Sequence, residues 1–121
     1  MKLNHVNLTV TDMAAAAQFL ETYFELRTLA SSPTTMVLLD DSDLIFTLMK
    51  AEQVSYPSSF HVGFVQESKE QVDAIYQRLI EGGFEPKPPQ RSHGMPGGKH
   101  AWTFYVHAPG GYLIEVLTVV D

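Results

Sequence analysis

The amino-acid sequence predicts an α+β fold built from two tandem β-α-β-β-β modules, about residues 1–52 and 58–121 of a single 121-residue domain. The prediction rests on three observations. The dipeptide His-Val occurs twice, in LNHVNLTV at residues 3–10 and in FHVGFVQ at 60–66, with 56 residues between the copies. The helix cap and the apolar helix stripe that follow each histidine keep the same offset, and a fixed offset shared by several features marks an internal repeat. Each helix is then followed by short apolar runs separated by turn residues.

The first strand is residues 3–10, where Val6, Leu8 and Val10 alternate against His5, Asn7 and Thr9, the period of a half-buried strand. Asp12 is a helix cap, and Ala16, Phe19, Leu20, Tyr23 and Phe24 form one apolar stripe at spacings of three and four. Strands follow over Leu26 to Ala30, Met36 to Leu39 and Leu44 to Lys50, parted by the turns SSP and DDSD. In the second module Phe60, Val62 and Phe64 alternate against His61, Gly63 and Val65, and Ser68 with Gln71 reads as a capping box. Its helix stripe is Val72, Ile75, Tyr76, Leu79 and Ile80, stopped by Gly82 and Gly83. Phe84 is expected to begin a short strand, and Trp102 to His107 and Tyr112 to Val120 form two more around the turn at 108–111. Between them lies PKPPQRSHGMPGGKH, residues 86–100, an insertion with Lys87, Arg91 and Lys99 and no acid, whose length suits a lid or binding segment.

Composition narrows the function. Without cysteine there is no disulfide and no thiolate, so a bound metal must be held by imidazole, carboxylate, backbone or water. A formal charge of −6 argues against a nucleic-acid partner and leaves a small molecule or another protein. No apolar run approaches bilayer length and the start lacks a secretory signal, so the expectation is a soluble, cytoplasmic protein with no membrane partner.

The repeat singles out four positions. His5 and His61 correspond, and Ile45-Phe46 pairs with Ile114-Glu115 at an offset of 69. If a pseudo-twofold axis relates the modules, His5, Phe46, His61 and Glu115 would face one groove. Two neutral imidazoles and a carboxylate are the facial set of non-haem iron oxygenases, and similar sets hold catalytic zinc. A carboxylate in an apolar strand also needs a partner. Phe46 then leaves a position for an exchangeable ligand. Tyr105 shares a strand face with Thr103 and His107 and is a candidate acid or substrate-orienting group. Asn7 is a candidate substrate contact, Lys99 a candidate loop contact, and His100 or His93 a candidate catalytic group in the loop. Structural roles compete with each: a sheet tyrosine packing its ring, a hydrogen-bonded strand histidine, a solvated loop.

The paired modules, the opening NHVNLTVTDM, the segment FHVGF and the ending FYVHAPGGYLIEV resemble the vicinal oxygen chelate superfamily of glyoxalases, extradiol dioxygenases, fosfomycin-resistance enzymes and bleomycin-binding proteins. The resemblance covers essentially the whole chain. It implies cupped mixed sheets, a divalent ion (Fe, Zn, Mn, Ni or Co) on His5, His61 and Glu115, and a homodimer whose sites are shared between subunits. Small bacterial glyoxalase I differs by a glutamate where the sequence alignment of the repeats puts Phe46. Fosfomycin-resistance enzymes share the ligand set and a tyrosine at Tyr105, but have threonine at Asn7 and an arginine beyond the last residue here. Two classes stay open: a metal-dependent lyase, isomerase or dioxygenase acting on a small oxygen-rich substrate, and a metal-free small-molecule binding or antibiotic resistance protein of the bleomycin-binding type.

Overall fold

The computed structural model describes residues Met1–Val120, which fall into two compact units. One comprises Met1–Ser58 with Ala108–Tyr112, the other Ser59–His107 with the chain from Leu113 on.

The first unit runs β1 (His5–Val10), α1 (Met13–Phe24), β2 (Arg27–Ser31), β3 (Thr35–Leu39) and β4 (Ile45–Lys50). Its sheet has the order β1-β4-β3-β2, with β1 parallel to β4 and the other pairs antiparallel. The alanine-rich start of α1 is strongly helix-forming. The helix is capped by the Asp12 carboxylate, which accepts from the Ala15 amide at 3.0 Å. Ala16, Ala17, Phe19 and Leu20 bury one helix face, and Leu8, Val10, Leu38, Phe46 and Leu48 bury one face of the sheet. β1 is an edge strand, and the Tyr56 hydroxyl closes part of that edge by accepting from the Thr9 amide at 2.8 Å and donating to the Thr9 carbonyl at 2.9 Å. At the turn over residues 108–111, Gly110 has φ +105°, and an added Cβ would lie 2.8 Å from that of Val10, so only glycine fits.

The second unit carries β5 (His61–Val65), α2 (Lys69–Glu81), β6 (Gln90–Ser92), β7 (His100–Ala108) and β8 (Tyr112–Val120), with sheet order β5-β8-β7-β6 and β5 parallel to β8. The two sheets thus share one topology, as the repeat predicts. α2 opens on Ser68, whose hydroxyl accepts from the Gln71 amide at 3.2 Å. The return bond of the capping box is shifted by one residue: the Gln71 side chain accepts from the Glu67 amide at 2.7 Å rather than from Ser68. α2 ends in a Schellman motif, with the Phe84 amide on the Leu79 carbonyl and the Gly83 amide on that of Ile80, and Gly83 at φ +88°.

Three local expectations change. Ile80, counted in the apolar stripe, is 41% exposed, so the buried stripe of α2 is narrower than its pattern. No strand begins at Phe84. Pro86, Pro88 and Pro89 have no amide proton to give to a ladder, and Lys87, the one residue among them that does, donates to the Tyr105 carbonyl at 3.2 Å. Regular pairing starts only after the last of these prolines, so β6 falls inside the stretch expected to be loop, with Gln90 opposite Thr103 and Ser92 opposite Ala101.

Candidate metal centre

β5 and β8 lie side by side in parallel, His61 opposite Leu113 and Gly63 opposite Glu115. The two-residue strand period puts Ile114 and Val116 into the core and turns Glu115 to the other face. There the His61 Nε2 lies 3.2 Å from Glu115 Oε1. The other imidazole nitrogen, Nδ1, is 3.0 Å from the Ser59 carbonyl. A carbonyl only accepts, so Nδ1 carries a proton, and Nε2 meets the carboxylate either as a second N–H or as a lone pair. A lone pair and a carboxylate oxygen at that distance need a cation between them or a proton on Nε2. An imidazole whose far nitrogen is tied to a backbone carbonyl is the arrangement found for histidines that bind metals. The donor set therefore fits a divalent ion.

β7 supplies the remaining neighbours. Thr103 Oγ1, 2% exposed, donates to Glu115 Oε2 at 2.7 Å. Tyr105, half-buried on the same strand face, has its ring edge-on to His61 with centroids 5.5 Å apart. Burial first, then the charge of Glu115 and a hydrogen bond to it, push the Tyr105 phenol above its ordinary value, so it keeps its proton well past neutral pH. The opposite face of β7 packs towards α2: Trp102 Nε1 donates to Asp73 at 2.8 Å, and the Lys69 ammonium sits 4.2 Å from the centre of the indole.

Of the residues singled out from sequence, His61, Glu115 and Tyr105 come together in the second unit. His5 lies in the first unit, exposed on β1, its Nδ1 2.9 Å from Asn4 Oδ1. Among the described residues no group of three or more histidines, aspartates and glutamates is placed to hold one ion. Asn7 shares the His5 face of β1 and its amide is 4.0 Å from Met49 Sδ. Lys99 is exposed at the end of a single 3-10 turn, Pro96–Gly98.

Two of the candidates lie apart from this cluster. His100 does not join Tyr105. It lies five positions earlier on β7, an odd number, so the strand period sends it to the Trp102 face, where its Nδ1 is 2.8 Å from that of His93. Burial, then Arg91 and His93, lower its imidazole below the usual value. Phe46 is not the counterpart of Glu115. His5 faces Ile45 as His61 faces Leu113, which sets the offset of the last strands at 68 rather than 69 and makes Thr47 the equivalent residue. Phe46, 3% exposed, belongs to the core face. Thr103 was missed as a site residue, although its alternation with Tyr105 already put it on the polar face. Ser59 left no signal, because it acts through its backbone.

A family model described as the Glyoxalase/Bleomycin resistance protein/Dioxygenase superfamily matches residues 2–116. A solved structure described as a possible glyoxalase from Bacillus cereus is 49% identical, with a TM-score of 0.86 over 97% of this chain and 98% of that one. Lactoylglutathione lyase from Agrobacterium tumefaciens is 18% identical, with a TM-score of 0.74 over 97% and 92% of the two chains. A point mutant of the fosfomycin resistance protein FosX from Listeria monocytogenes, complexed with Mn(II) and a dihydroxypropylphosphonic acid, is 22% identical, with a TM-score of 0.79 over 97% and 91%. These last two share the fold. No curated protein sequence matches. The chain belongs to the glyoxalase, bleomycin resistance protein and dioxygenase superfamily, the vicinal oxygen chelate proteins. No helix among the described residues is long and apolar enough to cross a membrane.

Proposed function

We propose that the protein is a divalent-metal-dependent enzyme of the glyoxalase or dioxygenase type, acting on a small substrate that offers two neighbouring oxygens to the ion. The observation that carries this reading is the approach of His61 Nε2 to Glu115 Oε1 at 3.2 Å, with Nδ1 committed to the Ser59 carbonyl. His61 and Glu115 are two ligands. His5, which occupies in the first unit the strand position of His61, is the third, supplied by the second copy of a homodimer as the family resemblance implies. The family's FosX relative, which binds Mn(II) with a small oxygen-rich acid, supports the same substrate class.

A bound ion acts as a Lewis acid, withdrawing charge from the substrate oxygens it holds. The protein's own contribution is positional. Tyr105, protonated at neutral pH and edge-on to His61, donates a hydrogen bond to a substrate oxygen or returns a proton to it. Asn7, beside His5 on β1, orients a polar group of the substrate. The cations of 86–100 (Lys87, Arg91 and Lys99) favour an anionic one.

Mixing variants tests both the ligands and their sharing. His5→Ala and Glu115→Gln homodimers are each expected to lose Mn(II), Ni(II) or Zn(II) binding in calorimetry. Mixing and re-equilibrating them regenerates a site with His5 from one copy and Glu115 from the other, and binding returns. Wild-type protein that binds none of these ions above the level of His5→Ala overturns the reading in favour of metal-free binding. Loss of binding without recovery on mixing places all three ligands in one copy.

A further inference from the structure

We propose that Thr103 is a positioning residue that decides which oxygen of Glu115 is offered to the ion; this rests on the metal reading above. The two carboxylate oxygens are not equivalent. Oε2 accepts from Thr103 Oγ1 at 2.7 Å, and Oε1 faces His61 Nε2 at 3.2 Å. The short bond is charge-assisted. It is also enforced, because Thr103 is 2% exposed and its buried hydroxyl has to find an acceptor. β7 and β8 are neighbours in the sheet, so the donor and the carboxylate come from adjacent strands of one rigid element. Threonine suits the task better than serine, since branching at Cβ restricts χ1 and fixes the direction of the hydroxyl. With Oε2 held towards β7 by this bond, turning the carboxylate to give both oxygens to an ion would strain or break it. Glu115 would thereby serve as a one-oxygen ligand through Oε1, leaving more of the ion's coordination to substrate.

Thr103→Val keeps the shape and removes the donor. Intact dimeric protein is titrated with Mn(II) by calorimetry for wild type, Thr103→Val, Thr103→Ser and Glu115→Gln, with Tm measured alongside. Affinity is expected to fall about 10- to 100-fold in Thr103→Val, the range seen when an outer partner of a metal ligand is removed, and to recover most of the way in Thr103→Ser. The EPR spectrum of bound Mn(II) is expected to change in the valine variant as Glu115 becomes free to use both oxygens. A merely structural threonine would lower Tm and leave affinity and spectrum alone. If Thr103→Val does not fold, Thr103→Ala carries the same comparison. Wild-type affinity in the valine or alanine variant, with Glu115→Gln inactive in binding, overturns the positioning role and leaves the metal reading intact. Failure of wild type to bind Mn(II), Ni(II) or Zn(II) removes both.

Discussion

The two units pair their first and last strands in the same register, yet only one of them has a carboxylate there. In the first, Asn7 lies opposite Thr47; in the second, Gly63 lies opposite Glu115. The difference is not confined to that pair. Glu115 is surrounded by groups that answer to its charge: His61, the hydroxyl of Thr103 and the phenol of Tyr105. Both units keep the backbone bonding and an apolar core face, and the outward face keeps the histidine but differs at the position of Glu115. Backbone ladders do not depend on the identity of the outward-facing side chain, so chemistry changes there at small cost to the fold.

The largest effect follows directly. Glu115→Gln keeps the size and removes the charge, and Mn(II) affinity is expected to drop by more than the about 100-fold upper range for an outer partner, because the proposed ligand itself is altered. Thr47→Val, the matching change in the first unit, is expected to leave affinity unchanged. Calorimetry on both variants checks the asymmetry; equal losses would show that the first unit's strand also serves the ion.

How much of this was legible in the sequence depends on which physical rule each residue obeys. Alternation and the 56-residue offset made both β-α-β-β-β modules readable, along with the Asp12 and Ser68 caps. The last strands were misaligned by one residue, since LIFTLM and LIEVLT share the letters Leu-Ile and tempt the eye to pair Phe46 with Glu115. A strand slipped by one residue turns every side chain to the opposite face, and only the ladder from His5 to Ile45 settles it. His100 lies an odd number of residues from Tyr105, so the same rule puts it on the other face of β7. The proline-rich stretch hid a strand because its first residues cannot donate. Thr103 needed the neighbouring strand, which alternation alone does not supply.

A second comparison lies between two tyrosines. Tyr105 and Tyr112 both have phenols raised by burial, but Tyr105 sits against Glu115, whereas the Tyr112 hydroxyl has no hydrogen-bond partner among the described residues. Tyr112 is 1% exposed. Its folded-state pKa lies above that of the unfolded chain, so its contribution to stability is fully present below about pH 10, where tyrosine in the unfolded chain begins to ionise, and is lost as pH rises further. Tyr112→Phe removes an unsatisfied buried group and this titration together. Stability at neutral pH is expected to rise by about 1 kcal/mol, and chemical unfolding between neutral and strongly alkaline pH to show a flatter decline than wild type. A loss of stability at neutral pH would show that the hydroxyl is satisfied after all.

The smallest effect distinguishes the two helix ends. α2 stops on Gly83 at φ +88°, a conformation glycine enters freely. α1 stops on Glu25 at φ +60°, with the next amide, Leu26, bonded to the Leu20 carbonyl at 3.3 Å. Both ends carry a left-handed residue, though in α1 the Leu20 carbonyl accepts from the Glu25 amide as well as from Leu26, and a side chain in that conformation costs about 1–2 kcal/mol against the following carbonyl. Glu25→Gly relieves that cost and gives back part of the gain as extra freedom of the unfolded chain, for a net stabilisation of about 0.5–1 kcal/mol. Gly83→Ala runs the change in reverse, with nothing within 4 Å of the added Cβ, so its destabilisation isolates the backbone term from any clash. Denaturant midpoints for the two variants, moving in opposite directions with the slope unchanged, would assign the difference between the helix ends to backbone conformation alone. A Glu25→Gly midpoint at or below that of wild type would mean that the glutamate side chain holds the cap by a contact of its own.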